Sequence, residues 1–155
     1  MAQVLVLYYT RTGNTEALAK AVAEGARGVE DVSVVVKRVD YATEQDFISC
    51  DAVAFGSPNY FGYMAGFMKE FFDRAWSVRG SVGGKLAAAF TSGGGSSNAA
   101  LQSIERMIDS FKLSKATEGV ISTGKPGDQD VEKCRKLGRV LGEAAVNRAK
   151  AMPKE

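Results

Sequence analysis

The sequence predicts an α/β protein, a parallel sheet covered by helices on both faces. Short apolar runs alternate with amphipathic helical stretches along the whole chain. The run AVAFG at 52–56 is unbroken in its apolarity, as a central strand buried on both faces requires. The 155 residues are 45% hydrophobic and 25% charged, which suits one domain over 1–155 with a sizeable core.

Each element has its own warrant. Residues 3–9, QVLVLYY, read as a buried strand. A helix follows over about 14–27, with Leu18, Val22 and Ala26 at helical spacing, Asn14 as its cap and Gly28 as its stop. The run VSVVVKRV at 32–39 is the second strand. Residues 40–49 form a short helical or irregular link, with Glu44 and Asp46 facing out and Phe47 and Ile48 facing in. The third strand is 52–56, and MAGFMKEFFDRAWS at 64–77 is a helix. The fourth strand, KLAAAFTS, spans 85–92. After Gly93, Gly94 and Gly95 comes a helix over 97–111, capped by Ser96 or Ser97. The fifth strand is ATEGVIS at 116–122. The turn TGKPGD then leads into a last helix over 129–150, with Asp128 or Asp130 near its start. With right-handed crossovers and strand order 2-1-3-4-5, the loops after strands one, three and four converge at the carboxyl edge of the sheet.

Composition excludes several functions. A net charge of +2, evenly spread, does not argue for nucleic acid. The chain has no histidine, which removes Ser-His-Asp and Cys-His nucleophile schemes. Its two cysteines, Cys50 and Cys134, are far apart and form no metal-ligand cluster. No apolar run approaches the ~18 residues of a membrane span. The start MAQV lacks the basic region of a secretory signal, so a cytoplasmic location is expected.

The three converging loops carry the chemistry. Thr10-Arg11-Thr12-Gly13-Asn14-Thr15 runs from a strand onto a helix N-terminus, where free N–H groups and the positive helix end attract a phosphate. It matches neither GxGxxG nor GxxxxGK[ST], and hydroxyls stand where those motifs place glycines and a lysine. The loop at 57–63 holds Tyr60, Phe61 and Tyr63, which suit contact with a flat ring, although Phe61 would equally roof the core. The triple glycine at 93–95 allows backbone to approach a ligand closely, or simply makes the loop flexible.

TxTGNT at 10–15, GSPNYFG at 56–62 and the glycine-rich 91–95 together resemble the flavodoxin-like family of flavin mononucleotide (FMN) proteins, over nearly the whole chain. The resemblance implies a flavodoxin-like three-layer sandwich around a five-stranded parallel sheet of order 2-1-3-4-5. It implies FMN, with its phosphate on Thr10, Arg11, Thr12, Gly13, Asn14 and Thr15. The isoalloxazine would lie between Ser57, Pro58, Asn59, Tyr60, Phe61 and Gly62 on one side and Thr91, Ser92, Gly93, Gly94 and Gly95 on the other. The chain departs from the acidic electron carriers of the family in its slight basicity and in having no aromatic residue at 91–98. In GSPNYFG and the triple glycine it is closer to flavodoxin-like NAD(P)H:quinone reductases, which are usually longer, oligomeric and often supplied with histidine.

Length and the missing histidine favour a carrier that passes electrons to or from a redox partner protein. The alternative is an FMN-dependent NAD(P)H:quinone or small-molecule reductase, working as a homo-oligomer whose neighbouring subunit covers the ring. Phe67, Met68, Phe71, Phe72 and Trp76 make the helix at 64–77 apolar enough for such an interface, and equally suited to core packing. A flavin-free binding or regulatory module is the reading from a third class.

Overall fold

The computed structural model describes residues 1–95 and 98–152. The strands are β1 (Ala2–Tyr8), β2 (Val32–Arg38), β3 (Ala52–Pro58), β4 (Leu86–Gly93), β5 (Ser114–Lys115) and β6 (Val120–Thr123). The helices are α1 (Asn14–Arg27), α2 (Glu44–Ser49), α3 (Gly66–Ala75), α4 (Arg79–Val82), α5 (Ala99–Ser110) and α6 (Asp128–Ala151). The sheet runs β2-β1-β3-β4-β5, with β6 also on β4, and every pairing is parallel. This is the expected order.

The fifth strand is broken. Where the sequence suggests one strand at 116–122, β5 and β6 both pair with β4, and 116–119 lie between them. A Cβ on Gly119 would sit 2.7 Å from the Leu101 side chain and 3.0 Å from Ala89 O, so the backbone there comes down onto α5 and β4. Short, interrupted pairing at a sheet edge also leaves little free ladder for another chain to extend.

The alternation along the strands makes two different cores. Val4, Val6, Ala52, Ala54, Ala88 and Phe90 face α1 and α6. Leu5, Leu7, Val53, Phe55, Ala87 and Ala89 face the other side, where Phe47, Phe71, Phe72 and Phe111 form an aromatic cluster with Phe55. The first core is built from small residues because its helices run close together. A Cβ on Gly138 would lie 1.9 Å from Val22 O, and one on Gly25 1.9 Å from Arg135 O. Glycines at the crossing therefore let α6 press directly on α1, at a cost of roughly 1 kcal/mol each in helix propensity.

Several boundaries move for identifiable reasons. The helix expected from 64 begins at Gly66, because Met64 N–H and Ala65 N–H donate instead to Ser103 Oγ (3.0 Å) and Ser57 Oγ (2.8 Å). It gives way to a 3-10 turn at Trp76–Val78 and then to α4. Met68, Phe71 and Phe72 on this helix are buried, leaving Phe67 and Trp76 half exposed, so most of its apolar stripe is core. The 40–49 link resolves into a 3-10 turn at Val39–Tyr41 and α2, which Thr43 and Asp46 close with reciprocal hydrogen bonds. At α6 the carboxylate of Asp130 accepts from Gly127 N–H (3.2 Å) and from Ser122 Oγ (3.1 Å), tying the helix start to β6. The expected caps Ser96 and Ser97 lie outside the described residues, and α5 starts after Asn98.

All strands being parallel, their carboxyl ends share one pole. At the opposite pole Met1 and Ala2 meet Val146, Ala149 and Lys150 of α6 around a shallow hollow.

Candidate functional site

The loop after β1 is fixed from both sides. Tyr9 N–H donates to Gly56 O of β3 (3.0 Å). Arg38, at the end of β2, grips Asp40 through Nε (3.2 Å) and Nη2 (3.1 Å) and donates through Nη1 to Thr10 O (3.3 Å). Thr10 Oγ1 accepts from Gly13 N–H (2.9 Å), closing the turn. Gly13, not Asn14, is the N-cap residue; its φ of +96° suits glycine, and no side chain caps the helix. Asn14 becomes the first helical residue and its side chain is left to line the cavity. The opening N–H groups of α1 have no partner within the helix. Thr15, one residue further, shares a 2.7 Å hydrogen bond with Ser92 Oγ at the end of β4.

The loop after β3 is braced by its own side chains. Buried Ser57 Oγ donates to Pro58 O (2.8 Å) and accepts from Ala65 N–H (2.8 Å). Asn59 N–H donates to Ser92 O (2.6 Å), and its Oδ1 accepts from Gly62 N–H (2.9 Å). Tyr60 and Tyr63 exchange both backbone hydrogen bonds (3.0 and 3.1 Å) across Phe61 and Gly62. Those two residues have φ of +57° and +76°, the signature of a type I′ turn. The turn sorts the aromatic rings: Tyr60 lines the cavity, Phe61 is fully exposed at the tip, and Tyr63 is partly exposed.

The glycine-rich loop meets this one closely. A Cβ on Gly93 would stand 2.8 Å from Asn59 Cβ, so a side chain there would push the two loops apart. Gly93 O also accepts from Gly124 N–H (2.7 Å). Gly124, with φ of +70°, belongs to a fourth loop that the sequence reading did not include in the site. The signal was present: TGKPGD follows the fifth strand, which lies beside the fourth.

These loops enclose an open cavity of about 430 Å3. It is lined by Thr10, Arg11, Thr12, Asn14, Thr15, Pro58, Asn59, Tyr60, Ser92, Gly93, Gly94 and Gly124. Of the other expected site residues, Gly13, Ser57, Phe61, Gly62, Thr91 and Gly95 are not among its walls. Gly13 and Ser57 shape the loops, Thr91 is buried in β4, and Phe61 and Gly62 form the turn tip.

The walls of the cavity are of two chemical kinds. At the helix start, neutral donors from threonine hydroxyls, the Asn14 amide and free N–H groups suit a phosphate. Pro58 and Tyr60 from one loop and Gly93 and Gly94 from another add a flat apolar surface and side-chain-free backbone to the same cavity. Burial raises the Tyr60 phenol, and the neighbouring Arg11 guanidinium pulls it the other way. The volume lies within the about 300–1,000 Å3 of small-molecule sites. These residues fit FMN: neutral anion donors, an aromatic wall, and a glycine cradle that a Cβ at Gly93 would fill. Among the described residues no cluster of histidine, cysteine or carboxylate could hold a metal.

A phosphate-accepting helix start beside an aromatic wall, at the switch point of a parallel sheet, defines a protein built to hold a flat phosphorylated cofactor. The sequence model of the family described as flavodoxin matches residues 6–138. The chain is 39% identical over 160 residues to a flavodoxin of Aquifex aeolicus (strain VF5), spanning 92% of this chain and 86% of that protein. Its structure is similar to that of a flavodoxin from the domain Archaea (TM-score 0.85, 27% identity), covering 93% of this chain and 99% of the other. It shares the fold of part of rubredoxin oxygen:oxidoreductase from the anaerobe Desulfovibrio gigas (TM-score 0.87, 18% identity), covering 96% of this chain and 37% of that one. The chain belongs to the flavodoxin family, whose members bind FMN and transfer electrons.

Proposed function

We propose that this flavodoxin holds FMN in the cavity at the carboxyl edge of its sheet and passes electrons between redox partner proteins in the cytoplasm. The observation that supports this most is the joining of three loops around one cavity through Thr15–Ser92 and Asn59–Ser92. The α1 N–H groups with Thr10, Thr12, Asn14 and Thr15 receive the phosphate. Tyr60 and Pro58 face the ring, and Gly93 and Gly94 offer backbone to its polar edge. FMN, when bound, supplies the one- and two-electron chemistry. The residues bind and orient it, and the 59–62 segment, whose Asn59, Tyr60 and Gly62 N–H groups are already bonded, would offer a backbone carbonyl to the ring edge. No helix among the described residues is long and apolar enough to cross a membrane.

The test is direct. The purified protein is expected to be yellow or to bind FMN stoichiometrically, and to accept electrons singly in a redox titration. Strict two-electron behaviour, or no flavin binding, would overturn the reading. One observation favours a second reading: among the described residues the glycine-rich loop brings Ser92, Gly93 and Gly94 to the cavity and no aromatic ring, which leaves room for a flat reactant. An NAD(P)H-dependent reductase would therefore show rapid flavin bleaching when mixed with NADH or NADPH in a stopped-flow instrument; a carrier would not.

A further inference from the structure

Among the described residues Arg11 is the single charged side chain on the wall of the cavity described above. It also lines the adjoining hollow, together with Tyr9, Tyr60, Gly66, Phe67 and Glu70. Arg11 and Tyr60 thus line both hollows together, and the guanidinium is near enough to the phenol to counter the rise that burial imposes on it. In the site proposed above Tyr60 faces the ring. On that reading the guanidinium lies on the ring side, between the cavity and the adjoining hollow, and the neutral donors Thr10, Thr12, Asn14 and Thr15 are left for the phosphate.

The charges around Arg11 leave it uncompensated. Glu70, the carboxylate in the adjoining hollow, is bound by Arg74 at 2.5 Å. Arg38, the other cation near the first loop, is held by Asp40. Among the described residues Arg11 makes no ion pair, and the segments 57–63 and 91–95 carry no charged residue. A lone positive charge beside a ring that gains negative charge on reduction stabilises the reduced form more than the oxidised one.

From this placement we infer that Arg11 sets the redox potential of the bound flavin from the ring side and does not anchor its phosphate. The inference rests on the FMN site under Proposed function. It concerns electron uptake by the flavin from an external one-electron reductant, with charge held by Arg11 and no bond made or broken at it. Because Arg11 is exposed, its influence is screened by salt.

Arg11→Gln and Arg11→Lys test it, with circular dichroism to confirm an unchanged fold. Two quantities are read: the ratio of FMN to riboflavin affinity, and the potential of the bound flavin. Arg11→Gln is expected to leave the affinity ratio within twofold of the parent. It should lower the potential of the one-electron step in which the ring takes up an electron without a proton and becomes negative, by about 59 mV for each tenfold loss in preference for that reduced form. Arg11→Lys should restore most of the shift, and raising the salt should lower the parent potential more than that of Arg11→Gln. A tenfold or greater fall in the FMN-to-riboflavin ratio at unchanged potential would show a phosphate anchor and overturn the inference. So would the absence of any change in either quantity. If the parent protein bound neither flavin, the site reading itself would fall, and the inference with it.

Discussion

Thr15 and Ser92 share a buried hydrogen bond of 2.7 Å between their hydroxyls, although 77 residues separate them. It joins the first turn of α1 to the last residues of β4, so the two sides of the cavity that these elements supply are positioned by one contact. Thr15→Val removes a partner and strands the Ser92 hydroxyl, which should cost about 1–3 kcal/mol in urea unfolding. Adding Ser92→Ala should recover part of that stability, but FMN affinity should stay low in both variants. A double variant with parental affinity would show that the contact serves only the fold.

Gly138→Ala tests the helix crossing. The new Cβ would meet Val22 O, and the helix-propensity gain of about 1 kcal/mol is too small to offset overpacking of about 1–3 kcal/mol or more. The urea midpoint should fall with the slope of the transition unchanged. An increase would mean that α6 shifts freely along α1.

Phe61 holds a left-handed backbone with a ring that contacts solvent throughout. Asparagine tolerates that conformation, so Phe61→Asn should stabilise the flavin-free protein by about 0.5–1 kcal/mol in thermal or urea unfolding. Destabilisation of similar size would reveal packing by the ring that its exposure does not suggest.

Asp46 ties β2 to α2. Burial raises its carboxyl, but Lys37 at 2.8 Å and the Thr43 N–H outweigh this and hold it below the ordinary 3.8. Its contribution is therefore present above pH 3.8 and lost as pH falls through the lower folded value. Asp46→Asn should cost about 1 kcal/mol at about pH 6, from the lost cap and ion pair. The gap between variant and parent should close as the solution is acidified below that point. A gap that persisted in acid would assign the cost to packing.

Burial pushes both thiols, Cys50 and Cys134, up to about 12. Thiolate is the reactive form, so iodoacetamide at about pH 8 should label neither in the folded protein and both in denaturant. Mass spectrometry counts the adducts. Labelling of the native protein within minutes would show that one of these elements opens readily.

Most of the architecture was legible because it is written in runs: AVAFG at 52–56 and the spacing of Leu18, Val22 and Ala26 leave few alternatives. The strand order 2-1-3-4-5 is the expected one, and of the loops 10–15, 57–62 and 91–95 it brings residues 10–12, 14, 15, 58–60 and 92–94 to one cavity. What escaped depends on contacts distant in sequence. Asn14 looks like a cap, yet Gly13 takes that place because Thr10 closes the turn before it. Ser57 looks like a ligand residue, yet its hydroxyl is spent on Ala65 and Pro58. The fifth strand is broken where Gly119 meets Leu101, a contact that no periodicity encodes. Gly124 entered the site only because its N–H reaches Gly93 O.

The meeting of Met1 and Ala2 with the last turns of α6 has a consequence for how such a protein is built into larger ones. A polypeptide spliced before Met1 departs from the pole opposite the cavity, and α6 ends its last described turn at the same pole, so a tether there leaves the mouth of the cavity unobstructed. The same fold makes up 37% of the Desulfovibrio gigas chain. A purification tag, a surface anchor or a neighbouring domain joined at that pole would leave the carboxyl edge of the sheet facing outward to whatever it meets.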